Sequence, residues 1–184
     1  MKLIGIGGST ASGKTALAQK LIEHFSATTN RYSHLLADIA TEQGTPTDKV
    51  SLQELSTKMR TEQGEDSIAQ LMNEWIRKQT SEVVVIEGMR RLVDVVALEA
   101  VAKETKRDWI FLFVDAPTEI RLVRFNTRLE REGLTPISND EFYHLDTHEA
   151  ENELPLIRAK SLHILHNTSK TLDELLTEAL VQCQ

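Results

Sequence analysis

The pattern Gly-x-x-x-x-Gly-Lys-Thr over residues 8–15 constrains the fold of this chain more than any other stretch. It directly follows the apolar run Leu3–Ile6 and leads into Thr15–Phe25, in which Leu17, Leu21 and Phe25 recur four apart. Glycines at both ends let backbone N–H groups turn inward around a phosphate, and the dipole of the following helix adds positive charge. A strand, a glycine-rich loop and a helix in this order are the setting of a phosphate-binding P-loop. The alternative is a Gly/Ser turn that precedes a helix carrying a solvated lysine.

The P-loop is predicted to bind the phosphates of ATP. Lys14 would bridge the β- and γ-phosphates as a point charge, and the Thr15 hydroxyl would hold Mg²⁺. The residues predicted to contact the nucleotide are those of the loop and the start of the helix: Gly8, Ser9, Ala11, Ser12, Gly13, Lys14, Thr15 and Ala16.

Further short apolar runs predict a parallel sheet. The predicted strands are Leu3–Ile6, Leu35–Ala37, Val83–Ile86, Trp109–Val114 and Leu162–Leu165. The runs do not alternate strictly, which is typical of strands buried on both faces of a parallel sheet. Helical patterns separate them, among them Ile68–Ile76 and Thr171–Leu180, and the latter opens with the Thr171 and Glu174 spacing of a capping box. The alternation predicts right-handed βαβ units, an α/β fold with helices on both sides of the sheet.

Length, charge and cysteine content narrow the class of protein. A chain of 184 residues is long enough for one buried core and short for two, so a single domain over residues 1–184 is expected. The net charge of −7 argues against nucleic acid as a partner, and no apolar stretch is long enough for a signal peptide or a membrane span. Because Cys183 is the only cysteine, no intrachain disulfide can form and a cytoplasmic location is expected.

Glu87 is the candidate for a second metal ligand. It directly follows the run Val83–Ile86, so its carboxylate would emerge at the carboxyl edge of the sheet, where folds of this type bind ligands. There it would hold Mg²⁺ together with Thr15, directly or through water, or orient the phosphate acceptor. The alternative is a glutamate that caps a turn at the strand end.

A P-loop does not by itself say what happens to the phosphate. The chain has no Asn-Lys-x-Asp motif of the kind that reads guanine in GTPases, and a motor or AAA-type machine would need more chain and an arginine finger aimed at a partner. A small-molecule kinase needs an acceptor-binding region after the first helix and an arginine-rich lid. Both have candidates in this sequence.

The lid candidate is a stripe of arginines spaced 3, 4 and 3 apart: Arg121, Arg124, Arg128 and Arg131. On a helix these positions fall within an arc of about 80°. Guanidinium groups suit phosphate oxygens because they donate in a planar fork and stay charged. The alternative is a solvated helix face on which the arginines pair with Glu130 and Glu132.

Several stretches, taken in order, resemble a known family. They are "GGSTASGKT", "LLADIATEQGTPTDKVSLQELSTKMRTEQGEDSIA", "VVVIEGMRR", "VDAPTEIRLVRFNTR" and "ILHNTSKTLDEL". Over nearly its whole length the chain resembles the small archaeal-type nucleotide kinases related to dephospho-CoA kinase and adenylate kinase. The resemblance implies a five-stranded parallel sheet, an acceptor-binding arm at about residues 38–80 and a lid at about residues 124–145.

The resemblance also implies roles for individual residues. Asp38 would follow the second strand and face the acceptor, as a general base for a hydroxyl acceptor or as an orienting group for a nucleoside monophosphate; its alternative is an N-cap for the next helix. The other implied site residues are Arg60, Glu87 and Arg90 at the acceptor, Arg124 and Arg128 in the lid, and Asn167 beside the donor adenine. The chain departs from the family pattern at Ala11 and Ala37, where glycine is common, and at Glu87, where aspartate is usual.

The function expected from these features is transfer of the ATP γ-phosphoryl group to a small acceptor, either dephospho-CoA or a nucleoside or deoxynucleoside monophosphate, with Mg²⁺ as cofactor. The alternative is a P-loop ATPase or nucleotide-binding regulatory protein that acts on a protein partner. The sequence does not predict the oligomeric state.

A pair of histidines has the spacing of a zinc site but lacks a complete set of ligands. His144 and His148 stand four apart and could bind zinc with Asp146 or Glu149, but no further ligand stands at a recognisable offset. A solvated helix face is the expected reading of this stretch.

Overall fold

The computed structural model describes residues 1–147 and 152–184. Within these residues five strands form one parallel sheet in the order β2-β3-β1-β4-β5. The strands are β1 (Lys2–Gly8), β2 (Thr28–Arg31), β3 (Val83–Glu87), β4 (Asp108–Asp115) and β5 (His163–His166). The predicted parallel α/β sheet is therefore confirmed, with β1 at its centre.

Helices connect the strands in chain order. They are α1 (Lys14–Phe25), α2 (Tyr32–Glu42), α3 (Lys49–Gln63), α4 (Ser67–Arg77), α5 (Leu92–Glu104), α6 (Thr118–Arg131), α7 (Asn139–Asp146), α8 (Leu154–Lys160) and α9 (Leu172–Gln182). The predicted capping box opens α9: the Thr171 hydroxyl accepts from the Glu174 N–H, and the Glu174 carboxylate accepts from the Thr171 N–H.

Two apolar layers cover the two faces of the sheet. Along β1, Leu3 packs into the layer formed with α2–α5 and α8, whereas Ile4 and Ile6 pack into the layer formed with α1 and α9. Successive side chains of a strand point to opposite faces, so burial on both faces requires an apolar residue at nearly every position. This explains the unbroken apolar runs of the central strands.

The prediction of a strand at Leu35–Ala37 is wrong. These residues lie in α2, and the second strand is the preceding segment Thr28–Arg31. β2 lies at the edge of the sheet and is only partly buried, so its residues Thr-Thr-Asn-Arg carry no apolar signal. The buried residues Tyr32, Leu36 and Ala40 recur every four residues, which is helical spacing, and a short apolar run alone does not distinguish a strand from a buried helix.

Candidate active site

The P-loop connects β1 to α1 at the carboxyl edge of the sheet. Its backbone uses the left-handed region at Gly13, with φ 104°, and Gly8 has φ 145°. Lys14 Nζ donates to the backbone oxygen of Ser9 at 3.1 Å, which closes the loop. The loop therefore has the turn-then-helix form in which backbone N–H groups surround a phosphate.

Ala11 also adopts a left-handed conformation, with φ 60°. A residue with a side chain is less stable than glycine in this region by about 1 kcal/mol. The departure from glycine noted in the sequence therefore stands at a backbone position that favours glycine, and the loop keeps its shape in spite of it.

Asn167 and Arg124 support the loop from outside. Asn167 is buried, and its Nδ2 donates to the Ser12 backbone oxygen at 2.8 Å. Arg124 donates to the same oxygen at 3.3 Å and to Asn167 Oδ1 at 3.2 Å. A Cβ at Gly13 would lie 2.4 Å from Asn167 Nδ2, so this close approach requires glycine as well as the positive φ. The structure thus brings together four predicted site residues, Ser12, Gly13, Arg124 and Asn167, from three separate parts of the chain.

Arg121 is a residue whose role the sequence reasoning missed. It is buried, its fork pairs with both Asp146 oxygens at 2.5 and 2.6 Å, and it also donates to the Thr10 and Ala116 backbone oxygens. Arg121 therefore joins α6, α7 and the P-loop. Only the helical spacing of the arginine stripe signalled it, because the partner Asp146 is distant in sequence.

The arginine stripe does not act as one surface. Arg124 faces the P-loop, whereas Arg128 is exposed, lies 4.8 Å from the Phe125 ring centroid and approaches Glu132 at 4.0 Å. The structure therefore places Arg124 in the site and leaves Arg128 on the outer face of α6.

Glu87 lies at the end of β3, as predicted, and is 2% exposed. Its Oε2 accepts a hydrogen bond from Thr15 Oγ1 at 2.9 Å, and Arg31 Nη2 lies 2.5 Å from its Oε1. Oε1 receives no hydrogen bond with suitable geometry from the described residues. No sequence pattern marks Arg31, because the strand that carries it lacks an apolar signal.

These residues fit a magnesium ion. The Thr15 hydroxyl uses its hydrogen toward Glu87, so its lone pairs remain available. Glu87 Oε1 is buried and receives no well-aligned hydrogen bond within the described part of the chain, although Arg31 Nη2 lies 2.5 Å from it. Hydroxyl and carboxylate oxygens are ligands that Mg²⁺ prefers. Thr15 and Glu87 are accordingly the residues that would hold the ion.

A second polar cluster lies beyond β3, around the buried carboxylate of Asp94. Its Oδ2 accepts from the backbone N–H groups of Arg90 and Arg91 at 3.2 and 3.1 Å, and its Oδ1 accepts from Arg60 Nη2 at 3.2 Å. Burial raises the pKa of Asp94, although Arg60 and the two N–H groups act in the opposite direction. Arg60 also donates to the Glu65 backbone oxygen. Two predicted acceptor residues, Arg60 and Arg90, thus meet at a carboxylate that sequence reasoning did not single out.

Glu153 holds the same turn from its other side. Its carboxylate accepts from the Leu92 N–H at 2.6 Å and from Arg91 Nη1 at 3.0 Å. Burial raises the pKa of Glu153, but these donors and nearby arginines outweigh it, so the net pKa lies below the usual glutamate value. Two carboxylates, Asp94 of α5 and Glu153 just before α8, therefore fix the connection between β3 and α5.

Asp38 does not stand where the resemblance placed it. It lies within α2, exposed, rather than after a strand or at a helix start, so both its strand-end position and its N-cap alternative are wrong. The residues that directly follow β2 are Tyr32, Ser33 and His34, and none of them is a carboxylate. The misplaced strand is the cause of this error.

On the other side of the P-loop a cleft of about 330 Å³ opens between the ends of β1, β4 and β5. Its lining residues are Ser9, Asp115, Ala116, Pro117, Thr118, Arg121, His166 and Thr168. The site therefore has two sides, which we name after the roles predicted for them: a donor side, comprising this cleft with Asn167 and Arg124, and an acceptor side, comprising Arg31, Glu87 and the cluster around Asp94.

For the zinc alternative, Asp146 is engaged by Arg121, while His148 and Glu149 lie outside the described residues. The described part of the chain holds no group of three or more His, Cys, Asp or Glu side chains able to bind a metal ion. It also contains no helix that is both long and apolar enough to cross a membrane.

No curated protein matches the sequence. The family model described as "AAA domain" matches residues 7–141, from the end of β1 into α7. The chain belongs to the AAA domain family. The match concerns the domain itself and leaves its activity open.

The chain is also similar in fold to solved structures along almost its whole length. These include TT1252 from Thermus thermophilus, with 20% identity, 99% of this chain and 95% of that chain covered, and a TM-score of 0.64. A shikimate kinase from Bacteroides thetaiotaomicron has 13% identity, 99% and 98% coverage and a TM-score of 0.60. A gluconokinase from Sinorhizobium meliloti 1021 has 13% identity, 98% and 90% coverage and a TM-score of 0.57. The fold is that of a P-loop kinase-like α/β domain.

Proposed function

We propose that the protein is a cytoplasmic, ATP-dependent kinase that transfers the γ-phosphoryl group to a small nucleotide-type acceptor. The observation that carries this proposal is the position of buried Glu87, which contacts P-loop Thr15 on one side and acceptor-side Arg31 on the other. A carboxylate shared between a nucleotide loop and a second polar region suits a site with two substrates. The fold shared with proteins described as shikimate kinase and gluconokinase supports the same class.

On the donor side, the P-loop N–H groups and Lys14 would bind the β- and γ-phosphates of ATP. Mg²⁺, held by Thr15 and Glu87, would supply neutralisation of phosphate charge. Arg124 and Arg128 would act as lid arginines within residues 124–145. Arg124 already contacts the P-loop, whereas the side chain of Arg128 would have to rotate toward the phosphates. Asn167 would lie beside the adenine of ATP and keep its hydrogen bond to the Ser12 backbone oxygen.

On the acceptor side, the arm at residues 38–80 would bind the acceptor, with Arg60 and Arg90 oriented by Asp94. Attack by a hydroxyl, as in dephospho-CoA, benefits from a general base within hydrogen-bond reach, whereas a phosphate monoester oxygen is already ionised and needs none. No carboxylate follows β2 directly. This favours a nucleoside or deoxynucleoside monophosphate over dephospho-CoA as the acceptor.

A second function is favoured by the family description: a P-loop ATPase or regulatory protein whose nucleotide-driven change is passed to a protein partner. Such a protein would hydrolyse ATP at a rate independent of small acceptors. A kinase, in contrast, turns over slowly until an acceptor excludes water and accepts the phosphoryl group.

The experiment that separates them measures ADP production with and without dephospho-CoA and each nucleoside monophosphate. The variants are wild type, Lys14→Ala and Lys20→Ala; the last makes the same change on the same helix, where the lysine pairs with the exposed Asp173. We expect ADP production that depends on one acceptor, is lost in Lys14→Ala and is kept in Lys20→Ala. ADP production that is the same with every acceptor and without any would contradict the kinase.

A further inference from the structure

The two oxygens of the Glu87 carboxylate contact two elements that belong to opposite sides of the site. Oε2 binds the Thr15 hydroxyl of α1, and Oε1 lies 2.5 Å from Arg31 Nη2 without a properly aligned hydrogen bond. Arg31 and Glu87 are also paired residues in the register of β2 and β3. The oxygen that would serve a metal ion is therefore the one that Arg31 now approaches.

Arg31 is placed to leave this contact without unfolding its surroundings. It is the last residue of β2 and the N-cap residue of α2, and its side chain is 34% exposed, whereas that of Glu87 is 3% exposed. One end of the ion pair is thus fixed in the interior and the other borders solvent at the carboxyl edge of the sheet. That edge is where ligands bind in open parallel sheets.

We propose that Arg31 and the divalent cation of the nucleotide compete for Glu87. When Glu87 binds the cation, Arg31 leaves Glu87 and binds an anionic group of the acceptor. This inference rests on the proposed function. A single buried carboxylate cannot neutralise both a divalent ion and a guanidinium, and a guanidinium left without a partner there is destabilised. A phosphate or carboxylate on the acceptor supplies the planar, bidentate partner that a guanidinium prefers.

The competition couples the two substrates. Because linkage is reciprocal, an acceptor anion that draws Arg31 away from Glu87 raises the affinity of the Thr15–Glu87 pair for the cation by the same factor. Glu87 would then hold the cation firmly only with an acceptor in place. This arrangement disfavours hydrolysis of ATP in the absence of the acceptor.

The test is the substitution Arg31→Gln, with Mn²⁺ as the probe. Mn²⁺ affinity in the presence of ADP is measured by electron paramagnetic resonance, and the KM of each accepted acceptor by steady-state kinetics. Removal of the competitor should raise Mn²⁺ affinity about fivefold or more, and loss of the anion partner should raise the acceptor KM about tenfold, both within the range of coupling between sites. Arg31→Lys, which keeps the charge but not the fork, should fall between Gln and wild type.

Arg77→Gln is the matched control, because this exposed arginine pairs with Glu104. It ends α4, which leads to the amino end of β3, away from the carboxyl edge of the sheet. The substitution should change neither quantity. Unchanged or weaker Mn²⁺ binding in both Arg31 variants would overturn the competition, and an unchanged acceptor KM would overturn the transfer of Arg31. If no acceptor is phosphorylated by the wild type while Arg31→Gln still tightens Mn²⁺ binding, the proposed function fails and the competition at Glu87 stands.

Discussion

The donor and acceptor sides of this site are built in different ways. On the donor side, the P-loop is a continuous stretch whose shape follows from its own glycines and from the start of α1, and Asn167 and Arg124 add contacts to one carbonyl. On the acceptor side, two arginines are held by carboxylates from other elements: Arg31 by Glu87 and Arg60 by Asp94. The P-loop of the donor side therefore depends mainly on local backbone geometry, whereas the acceptor side depends on ion pairs between distant segments.

The largest expected effect is on the donor side alone. Gly13→Ala would place a methyl group 2.4 Å from Asn167 Nδ2 at a backbone position with φ 104°. We expect ADP affinity, measured by calorimetric titration, to fall by about two orders of magnitude, since backbone placement carries the phosphate site. Gly133→Ala, also at a positive φ but with nothing near its Cβ, is the control and should leave ADP affinity unchanged. Equal losses in both variants would show that the loop geometry is not decisive.

The next effect should break the acceptor side and spare the donor side. Asp94→Ala leaves Arg60 and two backbone N–H groups without their buried acceptor, and loss of one partner of a buried pair costs about 3–5 kcal/mol. Urea denaturation measures this loss. In the folded fraction, ADP affinity should stay within about twofold of wild type while the acceptor KM rises tenfold or more. Arg77→Ala breaks the exposed pair with Glu104 and should not alter stability measurably. A comparable loss of ADP affinity in Asp94→Ala would mean that the two sides are not separate.

A pH titration sharpens the comparison within the acceptor side. Because the pKa of Glu153 is lowered in the folded state, its contribution to stability is present above the unfolded pKa, about 4.3, and is lost as pH falls through the folded value. Asp94 has a raised pKa, so its ionisation makes the folded state less stable as pH rises above about 3.9. The difference in unfolding free energy between wild type and Glu153→Gln should therefore be present at pH 7 and shrink on acidification.

The matched variant Asp94→Asn should show the opposite trend: its stability relative to wild type should improve as pH rises from about 3.9. Urea denaturation at a series of pH values measures both. The same direction of change in both variants would contradict the opposite pKa shifts.

The smallest effect belongs to the donor side. Ala11→Gly relieves a left-handed alanine, which is worth about 1 kcal/mol, but it also gives the unfolded chain more freedom. We expect a small rise in melting temperature and no change in ADP affinity. Ala18→Gly, within α1 and buried, should lower the melting temperature, since glycine in a helix interior is destabilising by about 1 kcal/mol and a buried methyl is lost. A lower melting temperature in Ala11→Gly would show that the loop does not carry this strain.

Local patterns predicted much of the fold. The apolar runs at β1, β3, β4 and β5 locate four of the five strands within the described residues, and the capping box at Thr171 marks the start of α9. The P-loop signature predicts the turn-then-helix backbone of residues 8–15. The end of the apolar run Val83–Ile86 predicts that Glu87 lies at the carboxyl edge of the sheet. These features succeed because each depends on residues that are close in sequence.

The errors have two physical causes. β2 is an edge strand of polar residues, so it lacks the apolar signal of buried strands. The short apolar run within α2 resembles a strand instead. Arg31 was missed and Asp38 misplaced as a result. The partners of Arg60 and Arg121, namely Asp94 and Asp146, lie far away in sequence, and only the packing of separate helices shows which carboxylate each arginine meets.

The most direct test follows the phosphoryl group itself. ATP labelled at the γ-phosphate is incubated with the protein and each nucleoside monophosphate or dephospho-CoA, and the label is divided by chromatography into acceptor-bound and free inorganic phosphate. The account predicts that label appears on one acceptor at a rate well above its release as phosphate, and that Lys14→Ala abolishes this transfer while Lys20→Ala retains it. Label released only as inorganic phosphate, whatever acceptor is present, would contradict a kinase built on these two sides.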